Sequence, residues 1–291
     1  MKPPAVKYAR AGDVREAVAL LTEHGSDAKV LAGGQSLVPL MSFRLARPSI
    51  LIDINRISGL DQIRVDNGSL VIGAMTRQRD VEISDVVAAE VPLLPQVLHH
   101  VGHITNRNRG TVGGSVAHAD SAAELPALVT GLGGELVVEG PNGTRTIAAE
   151  DYFTGTFTTA MEYNEVLTEI RIPRLPAGTG VAVEELARRH GDFAIVGAMA
   201  AVHLAADGSV DLIRVAASGV ASVPLRLHAA EEVLAGAQPT ADAIDAAAAT
   251  VTASVHPTDD VHAPASYRRD MIQLLVKRAV AAAVERSGVS A

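Results

Sequence analysis

Residues Asn106–Leu125 read NRNRGTVGGSVAHADSAAEL. The stretch is polar and glycine-rich, has no strong period of its own, and is flanked by apolar segments on both sides. Gly110, Gly113 and Gly114 carry no Cβ, so the backbone there can turn sharply or lie flat against a ligand. Thr111 and Ser115 add hydroxyls. Ser121-Ala122-Ala123-Glu124 has the S-x-x-E form of a capping box ahead of the apolar run Leu125–Leu132. The expected local structure is strand end, glycine turn, short loop and helix N-terminus. Such an arrangement exposes backbone N–H groups and suits an anion such as a pyrophosphate.

A second stretch, Lys29–Met41 (KVLAGGQSLVPLM), has the same character. A short apolar strand runs into Gly33-Gly34, then Gln35 and Ser36. One glycine pair alone is most often a tight turn. Two strand-to-loop pairs, each with Ser or Thr beside it, can grip two sides of one extended ligand.

Bulk properties narrow the function classes. A length of 291 residues suggests two domains, or one large and one small. Hydrophobic residues make up 48% but aromatics only 3%, with no Trp, so the core must be aliphatic and rich in alanine. No apolar run reaches the length of a membrane span, and MKPPAVKYARAGD lacks the h-region of a signal peptide; a cytoplasmic protein is expected. The net charge of −8, with arginines only in small groups (Arg107 and Arg109, Arg188 and Arg189, Arg268 and Arg269), argues against a nucleic-acid surface. The chain has no cysteine, which excludes a disulfide, a thiolate nucleophile, cysteine-ligated zinc and an iron–sulfur cluster on this chain. Redox chemistry here requires a bound organic cofactor, and an iron–sulfur partner must be another chain.

Patterning predicts a first unit of β-α-β-β: Ala5–Ala9, a helix over Asp13–Gly25 with Asp13 as N-cap, Lys29–Ala32 and Ile50–Ile54. A second unit follows: strand Ser69–Ala74, a short helix over Arg77–Ile83, a longer one over Val91–Val101, the glycine stretch, a helix over Ser121–Leu132, and a hairpin of Glu135–Glu139 and Arg145–Ala148 turning at Pro141-Asn142-Gly143. Asp151–Thr159 reads as a polar loop and Glu165–Ile172 as a strand. Pro173–Gly180 (PRLPAGTG) is the clearest linker. Beyond it, Val181–Arg188, Ile195–Leu204 and Val210–Ser218 form an antiparallel meander. Helices Ala229–Leu234, Ala241–Val255 and Tyr267–Glu285 end the chain. Strands and helices do not alternate as regular βαβ units, so the class is α+β. The domains are 1–176, in subparts 1–57 and 58–176, and 177–291.

AGGQSL at Ala32–Leu37, with RLARP at Arg44–Pro48 and LIDI at Leu51–Ile54, resembles the N-terminal signature of the flavoprotein (medium) subunit of molybdenum hydroxylases. RNRGTVGGSVAHADSAAELPAL at Arg107–Leu128 resembles the second signature of that family, and ARRHGDFAIV at Ala187–Val196 the third. Order and spacing match over nearly the whole chain. The pattern is similar to the medium subunits of aerobic carbon monoxide dehydrogenase and of bacterial dehydrogenases for N-heterocycles. The resemblance implies an FAD-binding domain of the vanillyl-alcohol-oxidase or MurB (PCMH) type, followed by a C-terminal domain with a three-stranded antiparallel sheet and helices. It implies FAD extended between the glycine loops: Lys29, Leu31, Ala32, Gly33, Gly34, Gln35, Ser36 and Leu37 on one side, with the Ala32–Ser36 backbone at the pyrophosphate, and Thr111, Gly113, Gly114 and Ser115 on the other. Asp120 and Glu124 accept bonds from ribityl or ribose hydroxyls, Met161 packs on the adenine side, and Phe193 approaches the isoalloxazine ring. Glu124 also has a reading that needs no ligand, as the capping-box carboxylate; the two are compatible.

By the same resemblance, a molybdopterin-type cofactor on a large subunit oxidises a small substrate such as carbon monoxide, an N-heterocycle or an aldehyde. Electrons pass through [2Fe–2S] clusters on a small subunit to the FAD of this chain and on to an external acceptor, in a dimer of heterotrimers. No residue of this chain is required as a catalytic acid or base, and no metal site is expected. Two other readings stay open: a stand-alone FAD-dependent oxidase, and a flavin-free scaffold. His99 and His103, spaced i, i+4, lack a third ligand and read as a surface or packed pair. His118 reads as a packing or hydrogen-bonding residue. Arg107 and Arg109 contact either phosphate or a partner chain, and Arg188 and Arg189 read as interface residues.

Overall fold

The computed structural model describes residues 2–288. The first unit holds β1 (Lys7–Arg10), α1 (Val14–His24), β2 (Ala28–Leu31), α2 (Leu37–Ser42) and β3 (Ile50–Asp53). Its three strands form a parallel sheet in the order β1-β3-β2. Asp13 caps α1 by accepting the Glu16 N–H at 2.8 Å, and Gly25, at φ 64°, ends it. Ala17, Val18 and Leu21 of α1 pack on Ile50 and Ile52. The predicted β-α-β-β order omits α2, which contains Pro39. That proline stands in the first turn, where its missing N–H forfeits no helical hydrogen bond.

The second unit is a five-stranded antiparallel sheet in the order β4-β5-β10-β6-β7, made of β4 (Ile63–Asp66), β5 (Ser69–Gly73), β6 (Glu135–Gly140), β7 (Gly143–Ala148) and β10 (Val166–Pro173). Between β5 and β6 run α3 (Gln78–Glu82), α4 (Asp85–Glu90), α5 (Leu93–His100), α6 (Ile104–Arg107), α7 (Val112–His118) and α8 (Glu124–Gly131). Leu70, Ile72, Leu94, Leu98, Leu125, Leu128, Leu136, Ile170 and Ile172 are completely buried together. The hairpin at Pro141-Asn142-Gly143 forms as read, with Gly143 at φ 103°. The single helix read over Val91–Val101 begins only at Leu93, with α4 a separate helix before it. Asp151–Thr159 is not a polar loop: α9 (Ala149–Tyr152) leads into a small hairpin of β8 (Phe153–Gly155) and β9 (Thr158–Thr159). The aromatic rings of Tyr152 and Phe153 are buried there and override the polar composition around them.

The third unit is an antiparallel sheet of β11 (Gly180–Leu186), β12 (Val196–Leu204), β13 (Val210–Ser218) and the two-residue β14 (Leu225–Arg226). The sheet is therefore four-stranded, not three-stranded. A strand as short as β14 leaves no alternation to read. α10 (His228–Leu234), α11 (Ala241–Ser254) and α12 (Ala265–Arg286) cover one face. Strand alternation divides β12 between two cores. Ala198, Ala200 and Val202 face the helices and pack with Ile272, Val276 and Ala279. Met199 and Ala201 point the other way and join the core of the second unit, with Val181 and Ala216.

α12 lies directly on β11, and a Cβ at Gly180 would collide with the carbonyl oxygen of Ala283 and approach the Ser287 nitrogen. Gly180→Ala is expected to lower unfolding stability by roughly 1–3 kcal/mol through overpacking. Urea unfolding of the variant beside the parent checks this; an unchanged midpoint contradicts the close seating of α12.

Candidate functional site

The two glycine stretches meet. A Cβ on Gly33 would strike the carbonyl oxygen of Arg109 and lie 2.8 Å from the Gly110 Cα, so only glycine permits the backbones to touch there. Gly34, at φ 74°, turns the chain away into α2. The Gln35 Oε1 accepts from Asn106 Nδ2 at 3.3 Å. Two further residues lock the contact. Asn55 Nδ2 donates to the carbonyls of Ala32 (2.8 Å) and Leu31 (3.2 Å), and its Oδ1 accepts from Arg77 Nη2 at 2.8 Å. Arg77 Nη1 then donates to the Arg109 carbonyl at 2.5 Å. Burial, and Arg109 after it, hold the Arg77 pKa below the usual arginine range. Neither Asn55 nor Arg77 stood out in the sequence. The available signal was a polar residue directly after an apolar strand adjoining the first glycine stretch.

The two stretches offer different chemistry. Among the described residues, the amides of Gly33, Gly34, Gln35 and Ser36 donate to no acceptor in the chain. The expectation of free amides fails at the second stretch. Gly113 and Gly114 lie inside α7, not in a turn: Thr111 is its N-cap, and its Oγ1 accepts from the Gly114 N–H at 3.0 Å. The Val112 amide donates to Thr76, that of Gly113 to Ala74, and that of Ser115 to Thr111. Gly113 is needed because a Cβ would run into Ala74. The second stretch is thus a wall against which a ligand can lie, and the first is its row of donors.

The capping box does not form. α8 begins at Glu124 with Ala123 as N-cap and no side-chain cap. Asp120 Oδ1 accepts the Ala122 N–H at 3.0 Å, and this local turn takes the chain out of the geometry Ser121 would need. Glu124 is only 3% exposed, and among the described residues its carboxyl has no side-chain hydrogen-bond partner. Burial first, then the carboxylate of Glu185, pushes its pKa up to about 8. His100 Nδ1 lies 3.6 Å from Glu185 Oε1, and this carboxylate raises the imidazole above its usual range. A buried carboxyl is costly to ionise unless it is bonded; besides its own backbone N–H, ligand hydroxyls fit that need.

The third motif reaches the same region. A Cβ on Gly191 would lie 2.7 Å from the His103 ring and 3.1 Å from the Gly102 carbonyl. The Gly219 amide donates to Ser121 at 2.9 Å, and Arg268 donates to the carbonyls of Gly219 (3.0 Å) and Ile195. Phe193 stands 57% exposed in this segment. The strand end Lys29–Leu31 and the helix start Leu37 flank the free amides. Ser115 is half-buried on α7. Met161 sits beyond the small hairpin, its sulfur accepting from the Tyr152 hydroxyl at 2.9 Å. His118 packs on Phe157 with ring centroids 5.0 Å apart, and burial lowers its pKa. Arg107 faces neither a phosphate nor a partner: it is buried, pairs with Glu82 at 2.9 Å, and donates to the carbonyls of Val101 and Gly102. Arg189 is exposed and pairs with Asp192. His99 and His103 each approach the ring of His190, but among the described residues no group of three or more side chains is placed to hold a metal ion.

A parallel βαβ unit joined to an antiparallel α+β unit, matched by an FAD-binding family model, makes this an FAD-binding protein of the vanillyl-alcohol-oxidase/MurB architecture. The chain belongs to the family described as the FAD binding domain in molybdopterin dehydrogenase, whose model matches residues 4–175; residues 181–283 match the CO dehydrogenase flavoprotein C-terminal domain. It is 43% identical over 286 residues to the carbon monoxide dehydrogenase medium chain of Hydrogenophaga pseudoflava, covering 98% of this chain and 99% of that one. It is 39% identical over 287 residues to the 6-hydroxypseudooxynicotine dehydrogenase complex subunit alpha of Paenarthrobacter nicotinovorans, covering 99% and 97%. A solved structure of the Hydrogenophaga pseudoflava carbon monoxide dehydrogenase, lacking the Mo-pyranopterin moiety of its molybdenum cofactor, superposes with a TM-score of 0.96 at 44% identity, over 99% of this chain and 100% of that one.

The Glu124 pKa is raised in the folded chain, so the fold retains a proton that the unfolded chain releases. Stability from this group is complete below the unfolded value of 4.5 and is lost as pH climbs to about 8. Glu124→Gln should remove that loss, which amounts to a few kcal/mol on the order of 1.4 per pH unit. Denaturant unfolding of the flavin-free chain at pH 5 and pH 8 would show the variant gaining on the parent only at the higher pH.

Proposed function

We propose that this chain is the FAD-carrying electron-transfer subunit of a heterotrimeric molybdenum hydroxylase. It takes electrons from [2Fe–2S] clusters on a small partner subunit and passes them to an external acceptor, while a large subunit with a molybdopterin-type cofactor oxidises a small substrate. The observation that carries the reading is the run of free amides at Gly33–Ser36, seated on the Gly33–Gly110 backbone contact. The flavin supplies the redox chemistry when bound, and the residues of the chain bind and orient it. The absence of cysteine supports the division of labour, since this chain offers no thiolate for a cluster.

In this reading the Ala32–Ser36 backbone holds the pyrophosphate, with Lys29, Leu31 and Leu37 framing it. Thr111, Gly113, Gly114 and Ser115 form the opposing wall. Asp120 and Glu124 receive sugar or ribityl hydroxyls, Met161 packs toward the adenine, and Phe193 lies toward the ring. Residues 1–176, in subparts 1–57 and 58–176, make the FAD-binding domain, and residues 177–291 the C-terminal one. Relatives named for carbon monoxide, 6-hydroxypseudooxynicotine, caffeine and glyceraldehyde support a small substrate of the carbon monoxide, N-heterocycle or aldehyde type. A cytoplasmic dimer of heterotrimers completes the proposal; among the described residues no helix is long and apolar enough to cross a membrane.

The assembled complex should release stoichiometric FAD on heat denaturation. Gly33→Ala should weaken FAD binding at least about tenfold, equivalent to about 1.4 kcal/mol, because the added Cβ parts the two loops. Flavin absorbance and cofactor identification on purified parent and variant complexes test both points. A parent complex without FAD, or a variant that keeps its full complement, would refute the site.

A further inference from the structure

Asp53 closes β3 beside the first glycine stretch, and both of its carboxylate oxygens are engaged. The Tyr8 hydroxyl on β1 donates to Oδ2 at 2.5 Å. Oδ1 accepts the Asn55 backbone N–H at 2.8 Å and Asn55 Nδ2 at 2.7 Å. Burial works to raise the Asp53 pKa, but the bonds from Tyr8 and Asn55 outweigh it and hold the carboxyl below its usual range, so near neutrality the group only accepts. That settles the orientation of the Asn55 amide, whose oxygen and nitrogen ends have nearly the same shape. Nδ2 must face Asp53, and it then also reaches the carbonyls of Ala32 (2.8 Å) and Leu31 (3.2 Å). Oδ1 is left toward Arg77 Nη2, 2.8 Å away.

The consequence reaches the free amides through peptide planarity. In a trans peptide the C=O of one residue and the N–H of the next point in opposite directions. Three carbonyls of the stretch are held: that of Ala32 by Asn55 Nδ2, that of Gly33 by Gln35 Nε2 at 3.4 Å, and that of Gly34 by the Val38 N–H at 3.1 Å. Each therefore turns the amide that follows it, on Gly33, Gly34 and Gln35, to the opposite side. Gln35 and Val38 belong to the stretch and to the helix it opens, so they move with it. Asn55 stands on another element, directly after β3, and ties the first amide of the row to the parallel sheet.

We propose that Asp53 is a positioning residue for the cofactor: it fixes the orientation of the Asn55 amide and, through the Ala32–Gly33 peptide, aims the Gly33 N–H at a phosphate oxygen of the dinucleotide. The proposal rests on the FAD reading above. Asp53 acts through Asn55 and not on the ligand itself. Its bond to Nδ2 is charge-assisted, about twice as strong as a neutral one, and keeps the amide from rotating. A rotated amide would set its oxygen against Asp53 and two carbonyls and its nitrogen against the Arg77 guanidinium, so all of these bonds would fail together. The Gly33 peptide would then be free to turn. Arg77 would keep only the Arg109 carbonyl, at 2.5 Å, of the two acceptors through which it spans the glycine stretches.

The test uses the assembled complex, stripped of flavin and titrated with FAD, with phosphorus NMR of the refilled site. Asp53→Leu, which removes both acceptors, should raise the FAD Kd roughly tenfold, the scale of one lost hydrogen bond to a charged group, and move the pyrophosphate resonances of bound FAD. Asp53→Asn, which keeps an acceptor for Asn55, should bring affinity and resonances back toward those of the parent. A residue that only supported the fold would lower the fraction of complex able to bind, and would leave the resonances of bound FAD unchanged. If Asp53→Leu does not assemble, Tyr8→Phe, at an exposed site, and Asn55→Ser take its place. Parental affinity in these variants, or weaker binding with unmoved phosphorus resonances, overturns the positioning role alone. A parent complex that carries no FAD and takes none up overturns the functional reading with it.

Discussion

The contact between Gly33 and the Arg109–Gly110 backbone is the constraint on which the other features depend. It is main chain against main chain, so no side-chain substitution elsewhere can reproduce it. It joins the parallel first unit to the helical layer of the second at one point, and fixes where the free amides face. Asn55 and Arg77 fasten this joint by using their side chains as extra backbone, binding the carbonyls of Leu31, Ala32 and Arg109. An arginine spent on a carbonyl is not available to an anion. Oriented amide dipoles at Gly33–Ser36 add to the guanidinium charge that Arg77 keeps while it binds neutral acceptors.

Much of the architecture was legible because it rests on periodicity and punctuation. Asp13 and Gly25 bound α1, the Pro141-Asn142-Gly143 turn sets the β6–β7 register, and the linker ends where β11 starts. What escaped notice was short or bridged by distant contacts. α2 hides a proline in its first turn, β14 has too few residues to alternate, and Tyr152–Phe153 is buried inside a polar stretch. The glycine-rich segments do mark close backbone approaches, but glycine has two uses that composition cannot separate. Gly34 supplies a left-handed turn, whereas Gly113 sits in an ordinary helix and is small so that Ala74 can approach.

Glu124 shows the same limit for charge. S-x-x-E before an apolar run promises a cap, a role that keeps a carboxylate ionised and partly solvated. The Asp120 turn moves the helix start to the glutamate itself, and its side chain is buried. One local hydrogen bond between neighbours in sequence thus changes the electrostatic character of a residue whose partners lie on α5 and β11. No local pattern carries that information, because the neighbours that matter come from three separate elements.

The division of β12 between two cores has a mechanical consequence. Pro173–Gly180 looks like a flexible tether, and a chain joined by such a tether would be free to swing. Met199, Ala201, Val181 and Ala216, however, are buried in the interior of the preceding unit, so any swing would open apolar surface to water along the length of the sheet. The tether is therefore slack in the covalent sense only. The two halves share one interior, so packing rather than the linker holds them in place.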